Sequence, residues 1–283
     1  MLSMLESAAN MAASSSGPYL LGSTDAEHQR LIRQSEILNP FTERLFHDAG
    51  LGPGQRVLDI GSGLGDVSML AARLVGTNGS VVGVDRDANI IAKAKVRVKD
   101  AGLRNVEFVE SELGQITIRE PFDAIVGRLI LEFLPDPNAI VKSLTRLLRP
   151  SGVLAIQDAC WGPFLQITAN LPLRSKCAAL IYHAFQRSGA NMNMEQVLYR
   201  AFQLADLSTP NMRIEIPVGR DPDFARWVQD LFCSLRPRMD QHQLSYDEVG
   251  DFETLQQRLE AEAAAANTFG STVGLVGAWS RKL

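Results

Sequence analysis

A short apolar run that breaks into three glycines and then opens a helix constrains this chain more than any other feature. Residues 57–66 read Val-Leu-Asp-Ile-Gly-Ser-Gly-Leu-Gly-Asp. VLDI (57–60) has the length and apolarity of a buried strand, and DVSMLAARLV (66–75) continues as a helix stopped by Gly76. Glycines at such a junction let a ligand approach the backbone, and the first amides of the helix can satisfy its acceptors. The alternation then repeats. SVVGVD (80–85) predicts a second strand, and Asp87 caps a helix running to Gly102. NVEFV (105–109) and FDAIVG (122–127) are strands three and four. Asp136 and Pro137 open a helix that ends near Pro150, and VLAIQD (153–158) is strand five. Successive strand–helix units require a parallel sheet covered on both faces. Right-handed crossovers make it doubly wound, an α/β fold.

The flanks differ. Thr24 and Glu27 have capping-box spacing, so a helix starts there. A second is expected from Asn39, with Pro40 in its first turn and Gly50 at its end; Leu38, Phe41, Leu45 and Phe46 form an apolar face across the junction. Beyond Asp158, LRSKCAALIYHAFQRSG, MEQVLYRAFQLA, FARWVQDLFCSL and FETLQQRLEAEAAAA are helical, while MRIEIPV (212–218) and STVGLVGAWS (271–280) are strand-like. These readings divide the chain into a flexible tail (1–18) and a single domain (19–283). Within the domain lie N-terminal lid helices (19–50), a ligand-binding half (51–160), and a helical cover (161–211 and 219–270).

The 283 residues suffice for a sizeable core, and a net charge of −4 gives no general attraction to nucleic acid. Cys160, Cys177 and Cys233 stand far apart without a C-x-x-C pair, and no H-x-x-x-H spacing occurs, so no metal site is expected. The first 18 residues lack a basic stretch followed by an apolar one, and no apolar run reaches the ~18 residues that span a bilayer. A cytoplasmic protein without membrane insertion is the expectation. The acidic helix LQQRLEAEAAAA could pair two copies into a homodimer, a solvated helix being the default.

The dinucleotide fingerprint G-x-G-x-x-G would need glycine at position 66, which is Asp66, a residue that reads best as a helix start. A pyrophosphate would sit poorly between Asp59 and Asp66, whereas a ligand carrying an ammonium and a sulfonium tolerates both. This favours S-adenosylmethionine (SAM) over NAD. Asp85, ending strand two, can accept hydrogen bonds from both hydroxyls of a ribose.

With these motifs the chain resembles the class I SAM-dependent methyltransferases, in particular a small-molecule branch similar to the ubiquinone/menaquinone methyltransferases. VLDIGSGLGD, VVGVDRD, VEFVESEL, FDAIVGRLILEFLPDP and LRPSGVLAIQD carry the resemblance in order over about residues 25–160, and the closing RLEAEAAAANTFGSTVGLVGAWSRK adds to it. It implies a Rossmann-like, mostly parallel seven-stranded sheet with an antiparallel last strand and a helical lid. It also implies that Asp59, Gly61, Ser62 and Gly63 hold the methionine part of SAM, that Asp85 binds the ribose with Arg86 beside the adenine, and that Glu112 and Leu113 lie along the adenine. Gly127 and Arg128 would face the sulfonium, and Arg33 and Gln34 would reach the cofactor carboxylate. Capping, ion-pair or solvated roles are the alternatives for the charged members.

Acceptor residues are harder to read. Ligands in such sheets sit beyond the carboxyl ends of the strands, which singles out Asp158 as a base or orienting acceptor and Trp161 as an apolar wall. Tyr19 could fold over the pocket and His183 could line the lid; His28 and His47 are expected on the surface. Phe164, Leu171, Leu173, Ile181, Tyr182, Phe185, Phe202 and Leu204 could form an apolar acceptor pocket, ordinary core being the alternative for most. The reading is methyl transfer to a small, hydrophobic metabolite, such as a secondary metabolite or quinone. The competing readings are a SAM-binding protein that steers another reaction such as a cyclisation, an NAD(P) oxidoreductase, and an enzyme methylating RNA or protein. The last is disfavoured by GRLILEF at strand four, where many amino-directed nucleic-acid methyltransferases carry an N/DPPY-type motif.

Overall fold

The computed structural model describes residues 21–22 and 24–283, so the expected tail and Tyr19 lie outside the described residues. Nine strands and nine α-helices follow in chain order among them. The first half runs α1 (Asp25–Ala49), β1 (Arg56–Ile60), α2 (Asp66–Val75), β2 (Ser80–Asp85), α3 (Ala88–Asp100), β3 (Val106–Glu110), β4 (Phe122–Arg128), α4 (Pro137–Leu144) and β5 (Leu148–Cys160). The second half runs α5 (Trp161–Thr168), α6 (Pro172–Arg187), α7 (Met194–Gln203), β6 (Asn211–Glu215), β7 (Val218–Gly219), α8 (Asp223–Gln241), α9 (Leu255–Ala265), β8 (Gly270–Ser271) and β9 (Gly274–Arg281). Seven strands form one sheet in the order β3-β2-β1-β4-β5-β9-β6, with β9 antiparallel to both neighbours and the other strands parallel. The sheet is thus the expected one, and β1 and β4, where the chain reverses its direction of travel across it, leave a crevice at their carboxyl ends.

The inner strands are apolar because both faces are covered. Leu58, Ile60, Val82, Val84, Ile125, Leu154 and Ile156 pack with α4 and α7 on one face, and Val57, Val81, Ala124, Val126 and Val153 pack with α1 and α2 on the other. The helices of the second half bring a further core of their own, in which Phe164, Ile181, Trp227, Phe232 and Leu259 are buried.

Four local readings are corrected. One 25-residue helix replaces the two expected before Gly50, with Pro40 inside it. Proline removes one helical hydrogen bond, but Leu38, Leu45 and Phe46 continue a single buried face across it, and Asn39 spends its side chain on Arg128 rather than on a cap. His28 is 6% exposed instead of being a surface residue, its Nδ1 2.7 Å from Lys93 Nζ. The expected strand 212–218 divides, Val218–Gly219 pairing with Gly270–Ser271 in a separate small sheet. Helix α5 begins at once after β5, and α8 runs on through Pro237 to Gln241. No helix among the described residues is long and apolar enough to cross a membrane.

Candidate active site

The loops at the carboxyl ends of β1, β2, β3, β4 and β5 open into one cavity of about 880 Å³. Its floor is the glycine loop. Gly61 (φ +62°) turns the chain out of β1, and a Cβ there would lie 2.6 Å from the Ile130 side chain. Gly63 (φ +50°) faces open space, a cradle that any side chain would fill. Asp85 fixes the loop from β2: one carboxylate oxygen accepts from Gly63 N–H at 2.9 Å and the other from Asp87 N–H at 3.0 Å. Asp87 in turn caps α3 through Asn89 N–H at 2.8 Å. Arg86, Ser111, Glu112 and Leu113 continue the wall from β2 and β3.

The opposite wall is built by α1. Arg30 lines the cavity while its guanidinium makes a bidentate pair with Glu27 (2.8 and 2.7 Å) and donates to Gln34 Oε1 at 2.7 Å; both ions of the pair are nearly inaccessible. Gln34 Oε1 also accepts from the Trp227 indole at 3.0 Å, which ties α1 to α8. Arg128, at the end of β4, donates to Asn39 (3.0 Å) and Thr42 (2.9 Å), and Thr42 donates to the buried Gln157 at 2.7 Å. Burial pulls the Arg128 guanidinium below its ordinary value, against the opposing pull of Asp66 and Asp59. Asp66, the first residue of α2, lines the cavity and accepts from Arg97 (2.7 Å) and Ser35 (3.0 Å).

The far end is apolar and aromatic. Leu129, Ile130, Phe133 and Leu134 follow β4, Ala159 and Trp161 close β5, and Phe185, Trp227, Leu231 and Val273 come from the cover. Phe185 stands 5.2 Å from Trp161 and 5.9 Å from Phe133, centroid to centroid. Leu129 holds a left-handed backbone (φ +54°) that swings the chain from β4 back over the glycine loop. Two acids sit at this end. Asp158 is fully buried and accepts from Ile130 N–H at 2.9 Å; Glu132, 3% exposed, lines the cavity in front of it. Burial raises both carboxyls, and for Glu132 the charge of Asp158 adds to the effect.

Of the residues singled out in the sequence, Gln34, Gly61, Ser62, Gly63, Asp85, Arg86, Glu112, Leu113, Arg128 and Trp161 all line this cavity. Others do not. Asp59 is 1% exposed behind the loop, bonded to Ser68 at 2.5 Å, and burial pushes its carboxyl up to about 7. Gly127 is needed for packing, since a Cβ would lie 2.6 Å from Ile60. Arg33 turns away to Asp230 at 2.6 Å, and Arg30, one helical turn earlier, takes the inward position. Asp158 stands behind Glu132, and His183 is exposed with Gln186 as its partner. Of the eight apolar residues beyond β5 proposed for the pocket, Phe185 alone reaches it. Sequence reasoning missed Arg30 and Glu132. The four-residue spacing of Arg30 and Gln34 was the available signal for the first; for Glu132 it was an acid within the apolar stretch LILEFL.

Comparison with known proteins places this geometry in a family. Residues 51–212 match the model of a methyltransferase domain, more than half of the chain. An arsenite methyltransferase from Halobacterium salinarum is 36% identical over 111 residues, 39% of this chain and 28% of that protein. A ubiquinone/menaquinone biosynthesis C-methyltransferase from Vibrio parahaemolyticus is 28% identical over 154 residues, 54% of this chain and 57% of that protein. These alignments thus span from about a quarter to just over half of the relatives' own length. Among solved structures, the YcgJ protein of Bacillus subtilis shares the fold over 84% of this chain and 95% of its own (TM-score 0.55, 16% identity). A phosphoethanolamine N-methyltransferase from Haemonchus contortus, solved with S-adenosylhomocysteine, does so over 89% and 56% (TM-score 0.51, 16% identity). The chain belongs to the methyltransferase-domain family and shares the Rossmann-like fold of solved proteins such as YcgJ.

Proposed function

We propose that this chain transfers the methyl group of SAM to a small, largely apolar metabolite bound in the same cavity. The observation that carries the reading is the division of that cavity: hydrogen-bonding groups of the glycine loop, β2 and β3 at one end, aromatic side chains at the other. At about 880 Å³ it is near the upper end of ordinary ligand pockets, roughly 300–1,000 Å³, which suits two occupants. Asp85 would take the ribose hydroxyls, Arg86, Glu112 and Leu113 would flank the adenine, and the Gly61–Gly63 backbone would lie along the methionine part. Arg30, Gln34 and Arg128 would face the carboxylate. Asp59 acts from behind, as a buried acid that accepts from the Ser68 hydroxyl and fixes α2 under the loop.

Bound SAM supplies an already activated, positively charged methyl donor. The protein's own work is to align an acceptor with it and to exclude water. Trp161, Phe185 and Phe133 supply an apolar surface for the acceptor, and α1 with α8 roofs the cavity through the Gln34–Trp227 bond. None of the three cysteines lines the cavity, so no thiolate is at hand to bind a soft metalloid, and an organic acceptor is favoured over arsenite.

Calorimetry with SAM tests the cofactor half. Asp85→Ala removes an ionised acceptor and is expected to weaken SAM by about 100-fold, two bonds to a charged group at ~1.5 kcal/mol each. A wild-type protein that ignores both SAM and S-adenosylhomocysteine, or that prefers NADH, overturns the reading. Transfer of label from methyl-tritiated SAM into an organic extract of small metabolites then tests the acceptor half.

A further inference from the structure

At the apolar end of the cavity Glu132 Oε2, Asp158 Oδ2 and Trp161 Nε1 are buried without a partner in good hydrogen-bond geometry, although the Trp161 indole lies close to Glu132 and the amides of Leu131 and Glu132 lie close to the Asp158 carboxyl. Buried polar atoms are rarely left so, and of these Glu132, which lines the cavity, marks the place where a bound molecule can complete the bonding. Asp158 spends its other oxygen on Ile130 N–H. Glu132 is held by its backbone, where its carbonyl accepts from Asn191 N–H at 2.7 Å, and its side chain lines the cavity. Among the described residues neither carboxyl has a cation within 4.0 Å. Two like charges this deep disfavour one another, so each carboxyl makes the other more reluctant to give up its proton. Burial and the Asp158 charge lift Glu132 well above the ordinary carboxylate range, while the Trp161 indole, close but outside hydrogen-bond geometry, opposes the shift.

We propose that Glu132, backed by Asp158, is the catalytic base of this protein and that its acceptor is an apolar molecule presenting one hydroxyl group to Glu132. The proposal rests on the methyltransferase reading above and names its substrate class. The proton chemistry selects the hydroxyl. Methylating a hydroxyl oxygen turns its O–H into a strong acid, whose proton a buried carboxylate can receive. Methylating an amine gives an ammonium that holds its proton, with a pKa near that of lysine, about 10.4, against such a base. In balance, the oxygen lone pair forms the bond to the methyl carbon and the methyl–sulfur electron pair stays on sulfur, which becomes a neutral thioether. The hydroxyl proton passes to the Glu132–Asp158 pair, and solvent removes it after release. Glu132 is the catalytic residue; Asp158 is a positioning residue that holds the Ile130 amide beside it and raises its carboxyl.

The test is binding of 2-naphthol and 2-fluoronaphthalene to protein saturated with S-adenosylhomocysteine. The two probes match in size, and only one can donate. Wild type is expected to prefer the naphthol at least tenfold, the value of one hydrogen bond to a charged acceptor. Glu132→Gln should cut that preference to threefold or less with S-adenosylhomocysteine affinity unchanged. Glu132→Ala should do the same and serves if the first variant fails to fold, whereas Asp158→Asn, which keeps an oxygen for Ile130 N–H and removes the charge that raises Glu132, should keep the preference. Equal binding of the two probes to wild type, or a preference that survives in both Glu132 variants, overturns the proposal. Failure of S-adenosylhomocysteine to bind wild type overturns the cofactor reading and this proposal with it, so the two failures are distinct.

Discussion

Replacing Asp59 by asparagine should make the protein's stability less sensitive to pH, by an amount the structure sets. Asp59 is 1% exposed, and burial carries its carboxyl from 3.8 to about 7 against the opposing pull of the Ser68 hydroxyl and Arg128. Between those values the folded protein holds a proton that the unfolded chain has lost. The contribution is therefore complete below pH 3.8 and declines as pH rises toward 7, beyond which the full cost of burying the charge remains. From pH 5 to pH 7 the decline covers two units at about 1.36 kcal/mol each, about 2.7 kcal/mol. Asparagine cannot ionise, and its carbonyl can still accept from Ser68. The advantage of Asp59→Asn over wild type should grow by about 2.7 kcal/mol between pH 5 and pH 8, with little further change above. Urea unfolding at half-unit pH intervals measures it, and because Asp158 titrates in both proteins its contribution cancels in the difference. A difference that stays flat from pH 5 to pH 8 would mean that Asp59 ionises in the fold as it does in water, and would sink the electrostatic account of the loop.

Three further substitutions bear on the cavity. Gly61→Ala puts a methyl 2.6 Å from Ile130 at φ +62°, and should cost about 1–3 kcal/mol in chemical unfolding and weaken SAM at least tenfold in calorimetry. Arg33→Ala loses only a partly exposed pair with Asp230, so SAM affinity should stay within twofold and stability within about 1 kcal/mol; a large loss of affinity would return Arg33 to the cofactor. Glu27→Gln keeps an oxygen for Arg30 but removes the charge of their buried bidentate pair, and about 1.5–3 kcal/mol should vanish from the unfolding free energy.

Which of these residues could be read from the sequence depended on how far their partners lie along the chain. The sheet and the ends of its strands follow from local signals: Gly63, Asp85 and Asp87 form one bonded cluster within 25 residues. Asp59 and Gly127 belong to the same motifs but serve packing behind the wall, because a motif identifies a strand end without saying which way its residues face. On α1, the inward turn of Arg30 rather than Arg33 is decided by Asp230 and Trp227, some 190 residues later in the chain. Asp158 was legible as an acid at a strand end, but Glu132 stands between it and the cavity because the positive φ of Leu129 folds residues 129–134 back over the sheet.

That fold-back joins the two halves of the site through one residue. The Ile130 side chain fills the space that a Cβ on Gly61 would need, and the Ile130 N–H is the donor that holds Asp158. The glycine loop and the carboxyl pair therefore share a rigid contact, and a ligand that shifts one must strain the other, because a close-packed contact transmits displacement rather than absorbing it. An alanine at Gly61 would push on Ile130 and so on Asp158, whereas an alanine at Gly63 would meet open space. The glycines of one motif thus differ in kind: Gly63 leaves room for a ligand, and Gly61 leaves room for the residue that couples the two ends of the cavity.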